Sequence, residues 1–226
     1  MKRWIRLTVF ITAVVLVQIS GSVQGKETAA VPQQNQADYQ GTIVAMGDSL
    51  TAGLGVNEND AYPAQLERKL QAAGLHWTVV NAGISDETSS GALSRINWVL
   101  KLRPDIVILE TGANDGLRGV DPRVTQRNID EMLRIFKKNK VLVVLAGMRM
   151  VRNLGTEYTD AFDAVYPRLA AKHSVTLIPF FLQGVAGEAS LNQTDGIHPT
   201  AEGYRVITGK IYPYVLPAIK RYREGR

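Results

Sequence analysis

Short apolar runs alternate with longer segments of helical period along most of this chain. The first run, Thr42-Ile43-Val44-Ala45-Met46, reads as a β-strand, and a helix is expected around Pro63–Gln71, where proline suits a first turn. Trp77-Thr78-Val79-Val80 is the second strand. Ser90 to Leu100 has the look of a helix, and Pro104 blocks its continuation. Ile106-Val107-Ile108-Leu109 is the third strand. Asp121-Pro122 opens the clearest helix, with Ile129, Met132, Leu133 and Phe136 at i, i+3, i+4 and i+7 on one face. Val141 to Ala146 is continuously apolar, as a strand covered on both faces must be. Thr159 to Lys172 is helical, Val175 to Ile178 is a fifth strand, and Thr200 to Ile219 is a closing helix expected to break or bend near Pro213 and Pro217. Five units of strand then helix predict an α/β fold with a parallel, doubly wound sheet.

The first 40 residues break this alternation. Lys2, Arg3 and Arg6 precede Leu7 to Val17, which is apolar except for Thr8 and Thr12, and small and polar residues follow. This is the layout of a secretory signal peptide over residues 1–25, cut near Ser22 or Gly25, and its run is short for a membrane span. The alternative is an uncleaved N-terminal anchor. Residues 26–40 carry Pro32 and four glutamines and read as a flexible linker, which leaves residues 41–220 as the folded domain. The formal charge of +5 falls to about +2 without the three basic groups of residues 1–25, so nucleic acid is not an expected partner. The absence of cysteine rules out disulfides and a lipid on an N-terminal Cys.

Candidate chemistry sits where strands end. Gly47-Asp48-Ser49-Leu50 follows the first strand and puts a hydroxyl at the carboxyl edge of the sheet, where open α/β sheets bind ligands. Asn81 to Thr88 follows the second strand, and Glu110 to Asp115, with Asn114, follows the third. Far downstream, Asp195-Gly196-Ile197-His198-Pro199 offers a carboxylate and an imidazole three residues apart. Nucleophile, base and acid are then all on loops, as acyl transfer needs. Of the three histidines, His76 and His173 fall at the amino edge of the sheet, which leaves His198 as the base. Asp48 is a rival orienting acid, better suited to hold its own loop, and Asp115 reads as structural. No Gly-x-x-x-x-Gly-Lys, and no Gly-x-Gly-x-x-Gly after the first strand, supports a nucleotide site. No cofactor and no metal is expected.

Taken in order, these motifs resemble the GDSL, or SGNH, hydrolase superfamily, and most of all its exported bacterial branch of thioesterase I, lysophospholipase and arylesterase activities. The resemblance runs from about Thr42 to Ile219 and rests on Gly47-Asp48-Ser49-Leu50, Asn81 to Thr88, Gly112 to Gly119 and Asp195 to Pro199. It implies a three-layer, five-stranded, flavodoxin-like sheet. It implies that Ser49 is the nucleophile with Asp195 and His198 completing a triad. It implies an oxyanion hole from the Ser49 backbone, the second-block backbone and the Asn114 side chain. The branch usually has glycine where this chain has Asp86, so Asp86 inherits that position and is expected to act through its N–H. The implied substrate is a small acyl ester, thioester or lysolipid, and the implied state is a monomer. A carbohydrate esterase or acyltransferase on the same scaffold is the alternative. Leu117, Val120, Met148, Met150 and Leu154 are candidates to line an acyl groove.

Overall fold

The apolar runs pair as five parallel strands, β1 (Gly41–Gly47), β2 (Trp77–Gly83), β3 (Ile106–Glu110), β4 (Leu142–Ala146) and β5 (Thr176–Ile178), in the spatial order β2-β1-β3-β4-β5. The structure is a computed structural model that describes residues 39–150 and 152–225. The expected leader and all but the last two residues of the expected linker lie outside the described residues. The three inner strands are almost wholly buried, which matches their unbroken apolar sequence. Helices α2 (Tyr62–Ala72) and α9 (Ala201–Glu224) pack together on one face of the sheet; α3 (Ser89–Ser94), α6 (Pro122–Lys138) and α8 (Val165–His173) pack together on the other.

Helix α6 buries Ile129, Met132, Leu133 and Phe136, the stripe read from its period. Four boundaries differ from the reading of the sequence. Strand β2 continues through Asn81-Ala82-Gly83, because these residues pair with Ala45, Met46 and Gly47 of β1. The segment from Ser90 to Leu100 is two helices, α3 and α4 (Ile96–Lys101), with Arg95 at the junction. The next helical segment likewise divides at Ala164, between α7 (Thr156–Asp163) and α8. Helix α9 is continuous through Pro213 and Pro217. Each interior proline costs about 3 kcal/mol. The buried stripe of Ile207, Ile211, Val215 and Ile219 runs past both, at about 1.5–3 kcal/mol per side chain, so packing outweighs propensity.

Chain direction reverses at β1. The connection from β1 leads to β2 on one side, and the chain then returns to β3 on the other. The loops that leave β1 and β3 therefore part over a cleft at the carboxyl edge, the switch point at which such sheets bind ligands. Ser49 and Asn114 stand on those two loops.

Candidate active site

A lack of space shapes the turn after β1. A Cβ on Gly47 would run into the side chains of Thr51 and Glu110, so only glycine lets β1 pass this close to them. The Gly47 carbonyl accepts from Ile84 N–H at 2.9 Å and from Arg95 Nη2 at 3.2 Å. Asp48 then caps α1 (Ser49–Ala52), its Oδ1 accepting from Leu50 N–H at 2.9 Å. Ser49 is the first residue of α1, where a backbone N–H has no intrahelical acceptor.

The loop after β5 brings the imidazole to this serine. Asp195 Oδ1 accepts the N–H groups of Ile197 at 2.9 Å and His198 at 3.0 Å, and Gly196 takes a φ of 70° in the turn between them. Nothing lies near the Cβ position of Gly196, so its glycine serves backbone conformation, unlike that of Gly47. Asp195 Oδ2 lies 2.7 Å from His198 Nδ1, and His198 Nε2 lies 2.9 Å from Ser49 Oγ. The hydrogen bond from His198 is the largest of the effects that hold the Asp195 carboxyl down at about 2. An ionised carboxylate only accepts, so Nδ1 carries the hydrogen and Nε2 presents its lone pair to the serine hydroxyl. The structure thus joins Ser49, His198 and Asp195 in one hydrogen-bonded chain. His76 and His173 stay at the opposite edge, where His173 Nε2 meets Asp130 Oδ1 at 2.6 Å. Asp115 binds Ser89 N–H, Ser89 Oγ and Thr125 Oγ1 and is structural, as its position implied.

The donors expected around an oxyanion are set by the loop after β2. Glu87 N–H closes a turn to Ile84 O at 3.3 Å with Asp86 at its third residue, and Asp86 has a φ of 63°. That left-handed conformation favours glycine and is tolerated by Asp and Asn. The Asp86 side chain is exposed, and its carbonyl accepts from Arg118 Nη2 at 3.1 Å. Glu87 turns inward instead. Its two carboxylate oxygens meet Arg95 Nε and Nη2, both at 2.6 Å, in a nearly buried pair. The Asn114 amide bridges the site, donating to Glu87 O at 3.0 Å and to Asp48 Oδ2 at 3.3 Å. Both of its hydrogens are engaged, so one must be shared or redirected if an oxyanion is to receive it.

Two buried groups escaped the reading of the sequence. Arg95 ties the turn of Asp86 to the carbonyl before the serine. Glu110, fully buried at the end of β3, accepts from Asp48 N–H at 3.2 Å and Thr51 Oγ1 at 2.8 Å through Oε2. Burial raises both neighbouring carboxyls, Asp48 to about 6 and Glu110 well above the usual range. The neighbouring Asp48 carboxylate adds to burial in raising Glu110. The signal was present, since a charged residue that ends an all-apolar strand must be buried with a partner. Asp48 makes no bond to His198; its side chain serves the cap and Asn114.

Residues 45–206 match the model of the GDSL-like lipase/acylhydrolase family. This chain is a member of that family. It is a carboxylic ester hydrolase of the GDSL type. It is 36% identical over 179 residues to Esterase TesA of Pseudomonas aeruginosa, covering 79% of this chain and 89% of that one. It is also 36% identical to thioesterase 1/protease 1/lysophospholipase L1 of Escherichia coli, over 79% of this chain and 85% of the relative. The crystal structure of TesA superposes with a TM-score of 0.76 over 78% of this chain and 99% of that one. The SGNH-hydrolase esterase AlinE4 superposes with a TM-score of 0.67 at 39% identity, over 79% and 96% of the two chains. The five-stranded parallel sheet is therefore the SGNH-hydrolase fold.

For a GDSL hydrolase, the exposed Asp86 carboxylate is expected to be dispensable. Asp86→Gly should keep kcat within about tenfold of the parent, since an outward charge changes the barrier by about 1 kcal/mol or less, and glycine relieves the left-handed backbone. A hundredfold fall in kcat on p-nitrophenyl butyrate at unchanged Tm would give the carboxylate a catalytic role.

Proposed function

We propose that the protein cleaves carboxylic esters and thioesters through an acyl-enzyme on Ser49. The observation that carries this is the chain from Ser49 Oγ through His198 to Asp195, at 2.9 and 2.7 Å. Ser49 Oγ attacks the acyl carbon as its proton passes to His198 Nε2. The leaving alkoxide or thiolate takes that proton as the acyl-enzyme forms, and water then repeats the cycle to release the acid. Asp195 holds the imidazole and balances its charge as it becomes imidazolium. Ser49 N–H, Asp86 N–H and Asn114 Nδ2 are the proposed oxyanion donors, fixed in advance so that little reorganisation is needed as charge develops.

An acyl chain of short to medium length fits the edge around the serine. Leu54, Ile84, Leu117, Leu154 and Ile197 are large, apolar and exposed, one on each loop that follows a strand. Of the residues singled out for a groove, Leu117 and Leu154 are exposed, whereas Met148 is buried in the core, so Met148 does not line it. The names of the relatives, esterase, arylesterase and thioesterase/lysophospholipase, support the same substrate range. Nucleophile, base and acid come from one chain, which supports action as a monomer. The basic start and apolar run of residues 1–25 support export to the periplasm or beyond, with residues 41–220 as the catalytic domain.

A panel of p-nitrophenyl esters from acetyl to palmitoyl, with acyl-CoA and a lysophospholipid, tests this reading. The expected maximum lies at butyrate to octanoate. Preference for deacetylating sugars over all of these would overturn it.

A further inference from the structure

Beneath the nucleophile lies an acid pair that the reaction scheme does not use. Glu110 Oε2 already accepts two donors, Asp48 N–H and Thr51 Oγ1, while Oε1 is buried and receives no hydrogen bond from a donor. The Asp48 N–H bond to Glu110 brings the two acidic side chains together, and the Asp48 carboxyl is among the groups that raise Glu110. A bond between two carboxyls needs a proton on one of them. The two oxygens of Asp48 face Leu50 N–H and the Asn114 amide, both donors, which suits an anion there. Glu110 Oε1, which no donor reaches, suits a hydroxyl.

We propose that Glu110 stays protonated at neutral pH, and that the proton it gives to Asp48 sets the positions of Ser49 and Asn114. The proposal rests on the reading of Ser49 as nucleophile. Glu110 is a positioning residue, since it touches neither substrate nor the reacting atoms. Through Oε2 it holds the backbone of Asp48 and the side chain of Thr51, on either side of Ser49 in the chain. Through its proton it holds the Asp48 carboxylate, which in turn holds the Asn114 amide. One hydrogen therefore registers the loop after β1 against the loop after β3.

The groups that face the pair favour a single negative charge. Tyr62 of α2, Tyr166 of α8 and Tyr204 of α9 face Glu110, and burial keeps all three phenols neutral. Glu87 and His198 face Asp48, and Glu87 is already paired with Arg95. A second negative charge would meet the carboxylate of Glu87. Raising the pH until Glu110 ionises should then push the two carboxylates apart and carry Ser49 and Asn114 out of register. The sign agrees with linkage: a carboxyl raised by burial stabilises the fold least where it is forced to ionise, so stability is lost as pH rises through its folded value.

Glu110→Gln separates the proton from the charge. The amide oxygen can take Asp48 N–H and the Thr51 hydroxyl, and the NH2 can donate to Asp48, at any pH. Three results are expected. Glu110→Gln should keep kcat on p-nitrophenyl butyrate within about fivefold of the parent, whereas Glu110→Ala should lose on the order of 100-fold in kcat with KM little changed, the cost of a misplaced nucleophile. The alkaline fall in kcat of the parent should be absent in Glu110→Gln. Infrared spectra of the parent at pH 8 should show a carboxylic-acid C=O stretch that Glu110→Gln lacks. A parent without that band, or a Glu110→Gln variant that falls as far as Glu110→Ala while Tm is unchanged, would overturn the proposal. The infrared measurement does not depend on turnover, so it stands apart from a parent that fails to react with p-nitrophenyl butyrate, a result that would count against the nucleophile itself.

Discussion

Ser49→Ala is expected to abolish hydrolysis of p-nitrophenyl butyrate and labelling by a fluorophosphonate, while Tm stays close to that of the parent. Among the described residues Ser49 Oγ is the one hydroxyl bonded to His198, so no neighbour there is placed to take over the attack. Removing a triad nucleophile costs on the order of 10⁴- to 10⁶-fold in turnover. The fold should tolerate the change. The Ser49 carbonyl, which accepts Gly53 N–H at 3.1 Å, and the Asp48 cap of α1 are both independent of the hydroxyl. A variant that retains a tenth of the parent activity would place the nucleophile elsewhere.

Asp195→Asn is expected to cost on the order of 10⁴-fold in kcat, out of proportion to the loss of one exposed charge. The reason is geometric. Asp195 Oδ1 accepts two backbone N–H groups, from Ile197 and His198. In the asparagine variant the amide oxygen must take that side, and the NH2 is left facing His198 Nδ1. A donor there makes Nδ1 the acceptor and puts the hydrogen on Nε2, which can then no longer take the proton of Ser49. Steady-state kinetics of Asp195→Asn beside Asp48→Asn decide the matter. A loss under tenfold in the first with a larger loss in the second would make Asp48 the orienting acid.

The alternation of apolar runs and the single strong helical stripe of α6 were enough to anticipate a five-stranded doubly wound sheet, because continuous burial on both faces leaves an unbroken apolar signature. Strand order was not legible in the apolar pattern, since it depends on which side each crossover takes; it came from the resemblance, whose flavodoxin-like sheet implies the order found. Asn81-Ala82-Gly83 read as loop, yet pairing with β1 recruits them into β2. The same holds for α9, where burial of Ile211 and Val215 overrides two prolines that local propensity reads as a break. At the site, Ser49, Asp195 and His198 stood out as candidates because turns and loops carry them, and the fold brings the three within hydrogen-bond reach. Arg95 and Glu110 were not, because each sits within an apolar segment and its partner lies elsewhere in the chain. Met148 misled for the opposite reason: it follows a strand, as a groove residue should, but its side chain turns into the core.

His198 and Asp195, the proposed base and acid, lie three residues apart on one loop, which is tied down through Asn192 and Gln193. Gln193 Nε2 donates to Leu54 O at 2.7 Å, and Gln193 N–H braces His198 O at 2.7 Å. The loop of Ser49, by contrast, is anchored to β1 and to Glu110 at the end of β3. Warming therefore acts on two bodies of unequal strength. Gln193→Ala is therefore expected to lower the temperature at which activity on p-nitrophenyl butyrate is lost more than it lowers the Tm of the sheet.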